Sequence, residues 1–437
     1  MLNGTDLAEY TIIYASADAD YTERAAHYVC DKIAEKTGIT LAVKSDKEQP
    51  KPSAHEIVLG ETRRAISDEL NEDTTGFSFS IMANGDHIAM EGDYFVIAAA
   101  AYYFVETYVK DEPFSAVVPT EAAVHEPIVK DAENYVFMIG DGMGFNQTLL
   151  FNTLFAKNLD TYSDGEKEFY GYMFPYQGAA RTSSLSGTTD SAAAGTALSS
   201  GYKTINRYLG KDKDLKDVKS LTEIALELGK ATAVMSTETQ TGATPAAFSV
   251  HIPDRDDTED IKAAQNKFSE ETGTLILGGY GSKYTQEDIN KVEEDLLATL
   301  ATLSEDEDGF FMMYEEAYID KHSHSNEMEN TYLACLRFNQ AIGTVMEFAF
   351  YNPDTFVLIT ADHETGGLTK QTDTMFYYTS PDHTNKDVPV FAYGLDAGVF
   401  DGITLENIQI PKTIAAMWGV ELEGYDNVNF PSLIHVK

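Results

Sequence analysis

Short, uninterrupted apolar runs alternate with stretches of helical spacing from Asn134 onward. This alternation constrains the fold more than any other feature of the chain. The runs lie at 135–139, 231–235, 274–277, 310–314, 355–360 and 388–393; helical stretches fall near 145–157, 191–200, 219–229, 256–270, 285–303, 327–350 and 411–418. A strand that is apolar at every position is buried on both faces, as in a parallel sheet covered by its crossover helices. The expected fold class is therefore α/β, with a mostly parallel central sheet and helices on both faces. In such sheets binding and chemistry collect at the carboxyl ends of the strands.

The first part of the chain reads differently. A strand is expected at 10–15 and a helix over 21–37, with Ala25, Val29, Ile33 and Ala34 at helical spacing. Short strands follow near 39–44, 55–60, 77–82 and 86–91, the last two joined by the hairpin signal Asn84-Gly85. A helix near 94–109 closes the unit. Residues 1–112 are thus expected to form a small α+β accessory domain. Pro113, Pro119 and Pro127 mark 113–133 as a linker, and 134–437 as the main, catalytic domain.

Charge excludes one class of partner. The formal net charge is -40, which repels nucleic acid from most of the surface. No apolar run approaches the roughly 20 residues a bilayer requires, so no membrane span is expected. Cys30 and Cys335 form neither a metal motif nor a disulfide framework. The first residues, Met1 to Asp6, lack a basic and apolar leader. The expectation is an extracellular or cell-envelope protein whose signal peptide is absent from this sequence, with the cytoplasm as the alternative.

Several segments carry chemistry. Thr189-Asp190-Ser191-Ala192-Ala193-Ala194-Gly195 sets a serine behind an acid and ahead of small helix formers. A serine in the first turn of a helix has free N–H groups beside it and the positive end of the dipole beneath it. That suits an oxygen that loses a proton and then carries a phosphoryl group. Read alone, the run fits an N-cap and a tightly packed helix equally well. The strand at 135–139 ends in Gly140-Asp141-Gly142-Met143-Gly144, where Asp141 reads either as a ligand or as a helix cap. The run at 310–314 ends in Glu315, Glu316, Asp320 and His324, and the run at 355–360 ends in Asp362-His363. Asp382-His383-Thr384 precedes the last strand. Imidazole and carboxylate together are favoured zinc ligands. Each histidine taken singly is more often a polar surface residue.

In this order the blocks resemble the alkaline phosphatase family over most of 134–437. The resemblance rests on the Gly140–Gly144 loop, Thr189-Asp190-Ser191-Ala192, Thr241-Gly242-Ala243-Thr244-Pro245-Ala246-Ala247, Ile319-Asp320-Lys321 and Thr360-Ala361-Asp362-His363. It implies two zinc ions and one magnesium ion. Ser191 matches the nucleophile that becomes phosphoserine. Asp320, His324 and His383 match the ligands of one zinc. Asp141, Asp362 and His363, with Ser191, match those of the second. Asp141, Thr244 and Glu315 match the magnesium ligands. Arg255 matches the arginine that grips two phosphate oxygens; without the resemblance it reads as a surface ion pair. Three divalent ions and Arg255 would outweigh four carboxylates, leaving a positive pocket in an acidic chain. A two-metal clamp stabilises both the attacking and the leaving oxygen of an in-line displacement.

The implied activity is hydrolysis of small-molecule phosphate monoesters. The alternatives are a phosphodiesterase or phosphomutase on the same scaffold, or a non-catalytic glycan- or phosphate-binding protein. The chain departs from the family at Gly242, where many members carry an acid or a histidine near magnesium. Lys321, which would pair with that acid, is therefore expected to be free to reach substrate phosphate; the alternative is a pair with Glu316 or another surface acid. The short interval between His363 and His383 implies an open pocket rim and leaves a homodimer undecided. Residues 1–112 resemble accessory domains of carbohydrate-active enzymes through Ile57-Val58-Leu59-Gly60-Glu61-Thr62-Arg63, which implies a glycan contact.

Overall fold

Strand and helix periodicity become two units in the computed structural model, which describes residues 1–17, 19–70, 74–85, 87–110, 115–155, 168–423 and 430–435. The first unit comprises Met1–Lys130 with Val345–Pro353. Its sheet contains β1 (Thr11–Tyr14), β2 (Ala42–Ser45), β3 (Glu56–Leu59), β4 (Phe79–Asn84), β5 (His87–Glu91) and β6 (Ala123–His125), in the order β2-β1-β3-β5-β4-β6. The β4–β5 pair is antiparallel and closes at Asn84 and His87, where the hairpin was expected. Helices α1 (Ala19–Thr37) and α2 (Ile97–Tyr108) belong to the same unit. Pro113 of the expected linker lies outside the described residues.

The second unit holds the eight-stranded sheet. Its strands are β7 (Asn134–Gly140), β8 (Tyr176–Arg181), β9 (Ala231–Ser236), β10 (Leu275–Leu277), β11 (Phe310–Glu316) and β12 (Thr355–Thr360). Two short hairpin-like pairs follow: β13 (Glu364–Thr365) with β16 (His383–Thr384), and β14 (Thr369–Thr372) with β15 (Met375–Tyr377). The strands β17 (Val388–Tyr393) and β18 (Thr404–Glu406) complete the large sheet, whose order is β10-β9-β11-β7-β12-β17-β8-β18. Neighbours from β10 to β12 run parallel; β17 is antiparallel to both β12 and β8.

The helices are α3 (Phe145–Phe155), α4 (Ser191–Ser200), α5 (Leu221–Glu227), α6 (Ala243–Ala247), α7 (Thr258–Thr272), α8 (Gln286–Leu303), α9 (Tyr318–His324), α10 (Met328–Tyr351) and α11 (Gln409–Met417). The helix expected to run to 157 has its last positions outside the described residues. Side-chain alternation along β11 shows how both faces are covered. Phe311 stacks on Phe248 after α6 and meets Trp418 after α11 edge-on. Tyr314 points the other way and stacks on Phe338 of α10. No helix among the described residues is long and apolar enough to cross a membrane.

The end of α10 has a consequence for truncation. Val345, Met346, Ala349 and Phe350 belong to the first unit and are buried, and Phe350 stacks on Phe95 with ring centres 5.9 Å apart. Glu347 pairs with Arg24, and Tyr351 stacks on Tyr28. A chain beginning near Asp131 would strip these partners from α10, at about 1.5–3 kcal/mol for each large apolar side chain exposed. The expected result is an unchanged turnover number in whatever stays folded, with a lowered unfolding midpoint and poor solubility. Calorimetry on the shortened chain checks this; a midpoint equal to the parent's would refute it.

Candidate active site

Topology collects the chemistry at one edge. The consecutive neighbours β9, β11, β7 and β12 all point their carboxyl ends the same way. Asp141 follows β7, Glu315 ends β11, and Asp362 and His363 follow β12. Because β17 is antiparallel to β12, its start lies at that same edge, and His383 just before it arrives there too. The glycine at 142 permits the crowding. It has φ +74, and a Cβ there would come within 2.7 Å of the Asp320 backbone. Its N–H donates to Asp362 Oδ1 at 3.1 Å.

Ser191 begins α4. Asp190 caps the helix, accepting from the Ala193 N–H at 2.9 Å in extended backbone geometry. Ser191 is buried, and its Oγ lies 3.3 Å from His363 Nε2. That nitrogen also faces Asp362 Oδ2 at 3.1 Å and Asp141 Oδ1 at 3.5 Å. The other ring nitrogen is fixed through Thr365. His363 Nδ1 and Thr365 Oγ1 are 3.2 Å apart, and Thr365 donates its hydroxyl to Asp320 Oδ1. The hydroxyl proton is thereby committed, so Nδ1 must donate to Thr365 and Nε2 presents its lone pair to the pocket.

His324 and His383 are oriented by the same logic. Nδ1 of His324 lies against the Pro381 carbonyl, and Nδ1 of His383 lies 2.8 Å from the Thr189 carbonyl. A carbonyl only accepts, so both Nδ1 atoms carry the proton. Both Nε2 atoms then meet at 2.9 Å, with Asp320 Oδ1 at 3.3 Å from one and 3.4 Å from the other. Two lone pairs so placed repel unless a cation joins them. Asp320, His324 and His383 form one cluster of ligand atoms within reach of a single ion; Asp141, Asp320 and His363 form another.

The oxygen-only pocket lies beside them. Asp141 Oδ1, Asp362 Oδ2, Glu315 Oε1 and Thr244 Oγ1 are buried without a hydrogen-bond partner. Orphaned buried acceptors are costly, and a cation relieves them. Alternation along β11 separates two adjacent acids. Glu315 turns toward α6, which carries Thr244, while Glu316 turns toward α10 and is held by Arg337 through two 2.7 Å bonds. The residues therefore fit the ions implied by sequence: imidazole and carboxylate suit zinc, and carboxylate with hydroxyl suits magnesium.

Electrostatics point the same way. Burial, joined by the charges of Asp362, Asp320 and Glu315, pushes the Asp141 carboxyl well up. Burial and then the charge of Glu238 push Glu315 up to about 8, against the Ser236 and Thr244 hydroxyls. Burial pushes Asp320 up as well, but His383, His363 and His324 outweigh it and hold the carboxyl well below the usual range. Burial lowers His383, yet Asp320 reverses that and raises it.

Arg255 stands at the mouth, its Nη1 donating to Asp190 Oδ2 at 3.3 Å. It is not tied to the acids that flank it in sequence, because Arg207 pairs with both Asp254 and Asp256. Lys321 departs from expectation. It is not free: its Nζ pairs with Glu238 Oε2 at 2.5 Å. The charge missing at Gly242 is supplied by Glu238, and the premise of an unpartnered lysine is corrected accordingly. Sequence reasoning also passed over Thr365 and Arg337. The signal for Thr365 was its place two residues after His363, on the same side of an extended segment.

A family profile described as alkaline phosphatase matches residues 132–277 and 283–381. Alkaline phosphatase 3 of Bacillus subtilis is 29% identical over 314 residues, covering 60% of this chain and 67% of that protein. Alkaline phosphatase 4 of the same organism is 28% identical, covering 55% of this chain and 63% of its own length. The matched part of this chain thus spans about two thirds of these relatives. Among solved structures, the alkaline phosphatase from the Antarctic bacterium TAB5 aligns with a TM-score of 0.57 and 26% identity, over 66% of this chain and 98% of that one. A variant of that enzyme was solved with magnesium in a site called M3. The profile match covers more than half of the chain and includes every candidate ligand but His383: this protein belongs to the alkaline phosphatase family.

Proposed function

We propose that the protein hydrolyses phosphate monoesters through a phosphoserine at Ser191, with two zinc ions and one magnesium ion. The observation that carries this reading is the meeting of Ser191 Oγ, three oriented imidazole Nε2 atoms and orphaned carboxylate oxygens at one sheet edge. Asp320, His324 and His383 would hold one zinc; Asp141, Asp362 and His363 the other; Asp141, Thr244 and Glu315 the magnesium. The ions supply Lewis-acid stabilisation of charge on the reacting oxygens.

The chain's own groups do the positioning. Asp190 fixes the first turn of α4, so Ser191 Oγ projects into the pocket with the helix N-terminus behind it. Attack by Ser191 Oγ on phosphorus forms the serine–phosphate bond and releases the alcohol. Water then cleaves that bond and regenerates Ser191. Arg255 binds two non-bridging oxygens through its forked donors, and the second esterified oxygen of a diester would obstruct that grip. Its present partner, Asp190, keeps the guanidinium beside the nucleophile loop.

The test combines metal analysis with substrates. Chelation should abolish turnover of p-nitrophenyl phosphate, and zinc should restore it, with magnesium adding more. Bis-p-nitrophenyl phosphate should be the poorer substrate; the opposite ranking would favour a diesterase. Full turnover in protein shown to be metal-free would end the proposal. Arg255→Ala is expected to lower kcat/KM for the monoester about a hundredfold or more. Steady-state kinetics at matched zinc content check this.

A further inference from the structure

Gly242 leaves a space that another residue of this chain fills. A Cβ built on Gly242 would lie 2.0 Å from Glu238 Oε1 and 2.3 Å from its Cδ. The Glu238 carboxylate therefore occupies the volume that a side chain at 242 would need. Glu238 reaches this place from the loop after β9. Its N–H donates to Ser236 Oγ at 3.2 Å, and its carbonyl accepts from the Gly279 N–H. The side chain is only 15% exposed.

Three observations tie this carboxylate to the oxygen-only pocket. Ser236, which holds the Glu238 backbone, donates its hydroxyl to Glu315 Oε2, leaving Oε1 as the free acceptor. The charge of Glu238 acts strongly on Glu315. Lys321, paired with Glu238, also feels the charges of Asp141 and Glu315. Glu238 is thus tied to Glu315 through Ser236 and to Asp141 through Lys321, two of the acids whose buried oxygens lack partners. Magnesium keeps several of its waters when bound, so acceptors just beyond its direct ligands matter to it.

We propose that Glu238 completes the magnesium pocket as the acceptor for the ion's waters and as the anchor of Lys321, and that glycine at 242 is the condition for it. The inference rests on the reading of Asp141, Thr244 and Glu315 as a magnesium site. Glu238 is a positioning residue: it acts through the ion's surroundings and through Lys321.

Glu238→Gln keeps the shape and removes the charge. With both zinc sites filled, its magnesium dissociation constant, read by titration calorimetry, should rise at least about tenfold, with zinc content unchanged. Gly242→Ala should expel the carboxylate and weaken magnesium to a similar degree. Adding Glu238→Ala to Gly242→Ala should relieve the collision and raise the unfolding midpoint above that of Gly242→Ala alone. Magnesium bound by Glu238→Gln as tightly as by the parent would overturn the inference. A parent that takes up two zincs and turns over substrate but binds no magnesium would also overturn it, while leaving the two-zinc hydrolase standing.

Discussion

Ser191→Ala is expected to lower turnover of a phosphate monoester by at least about ten-thousandfold, as loss of a nucleophile does. Zinc should stay bound, because six other side chains face the two ion positions. The substitution removes one buried oxygen and leaves the Asp190 cap of α4 in place. Elemental analysis and kinetics on the same preparation check both halves. Radioactive phosphate at acidic pH should label the parent at Ser191 and leave the variant unlabelled. Label on a different residue, or a variant retaining more than about a hundredth of parental turnover, would sink the assignment.

The second large effect is on stability. Burial and the charge of Glu238 push Glu315 up to about 8 in the ion-free fold, from an ordinary 4.5, and Asp141 is raised in the same sense. A carboxyl whose folded value is raised stabilises below its unfolded value and loses that contribution as pH rises through the folded one. The histidine His383, also raised, has the same sign. Asp320 and Asp362, held low, matter only in acid, where their contribution disappears as pH falls through their folded values. Metal-stripped protein should therefore lose stability between pH 5 and 8.5, on the order of several kcal/mol. Metal-loaded protein should not, so the gap between the two unfolding midpoints should widen with pH. Glu315→Gln should flatten the slope of the stripped protein. A stripped midpoint that rises across this range would contradict the account.

Much of the architecture was legible because burial on both faces writes itself as continuous apolar sequence. The strands β7, β9, β11, β12 and β17 are buried throughout or nearly so, and each matches an apolar run. β8 carries no such run: it reads Tyr-Gln-Gly-Ala-Ala-Arg and is mostly half-exposed. The helices α6 and α9 span five and seven residues, too few for a helical period to show. The candidate ligands stood out because acids and histidines sat where apolar strands ended. Glu238 had no comparable signal. Its role depends on a turn that brings it back against Gly242, and no local pattern records that return. Lys321 misled for the same reason, since its partner comes from a different strand end.

The order in which the strands leave the ribosome differs from their order in the sheet. β7 is made before β9, β11 and β12, yet it ends between β11 and β12. A nascent chain holding Asp141 and Ser191 has neither neighbour for β7 and none of the histidines of the candidate ligand clusters. Those arrive only with α9, the loop after β12 and finally His383. Binding free energy for a metal becomes folding free energy only when the ligands exist together. The central strand must therefore wait, partly unpaired, through about half of synthesis, which is the interval when exposed apolar strands aggregate. If the proposed ions bind, their capture closes maturation, and a shortage of metal would be felt as a failure to finish folding before it was felt as a loss of rate.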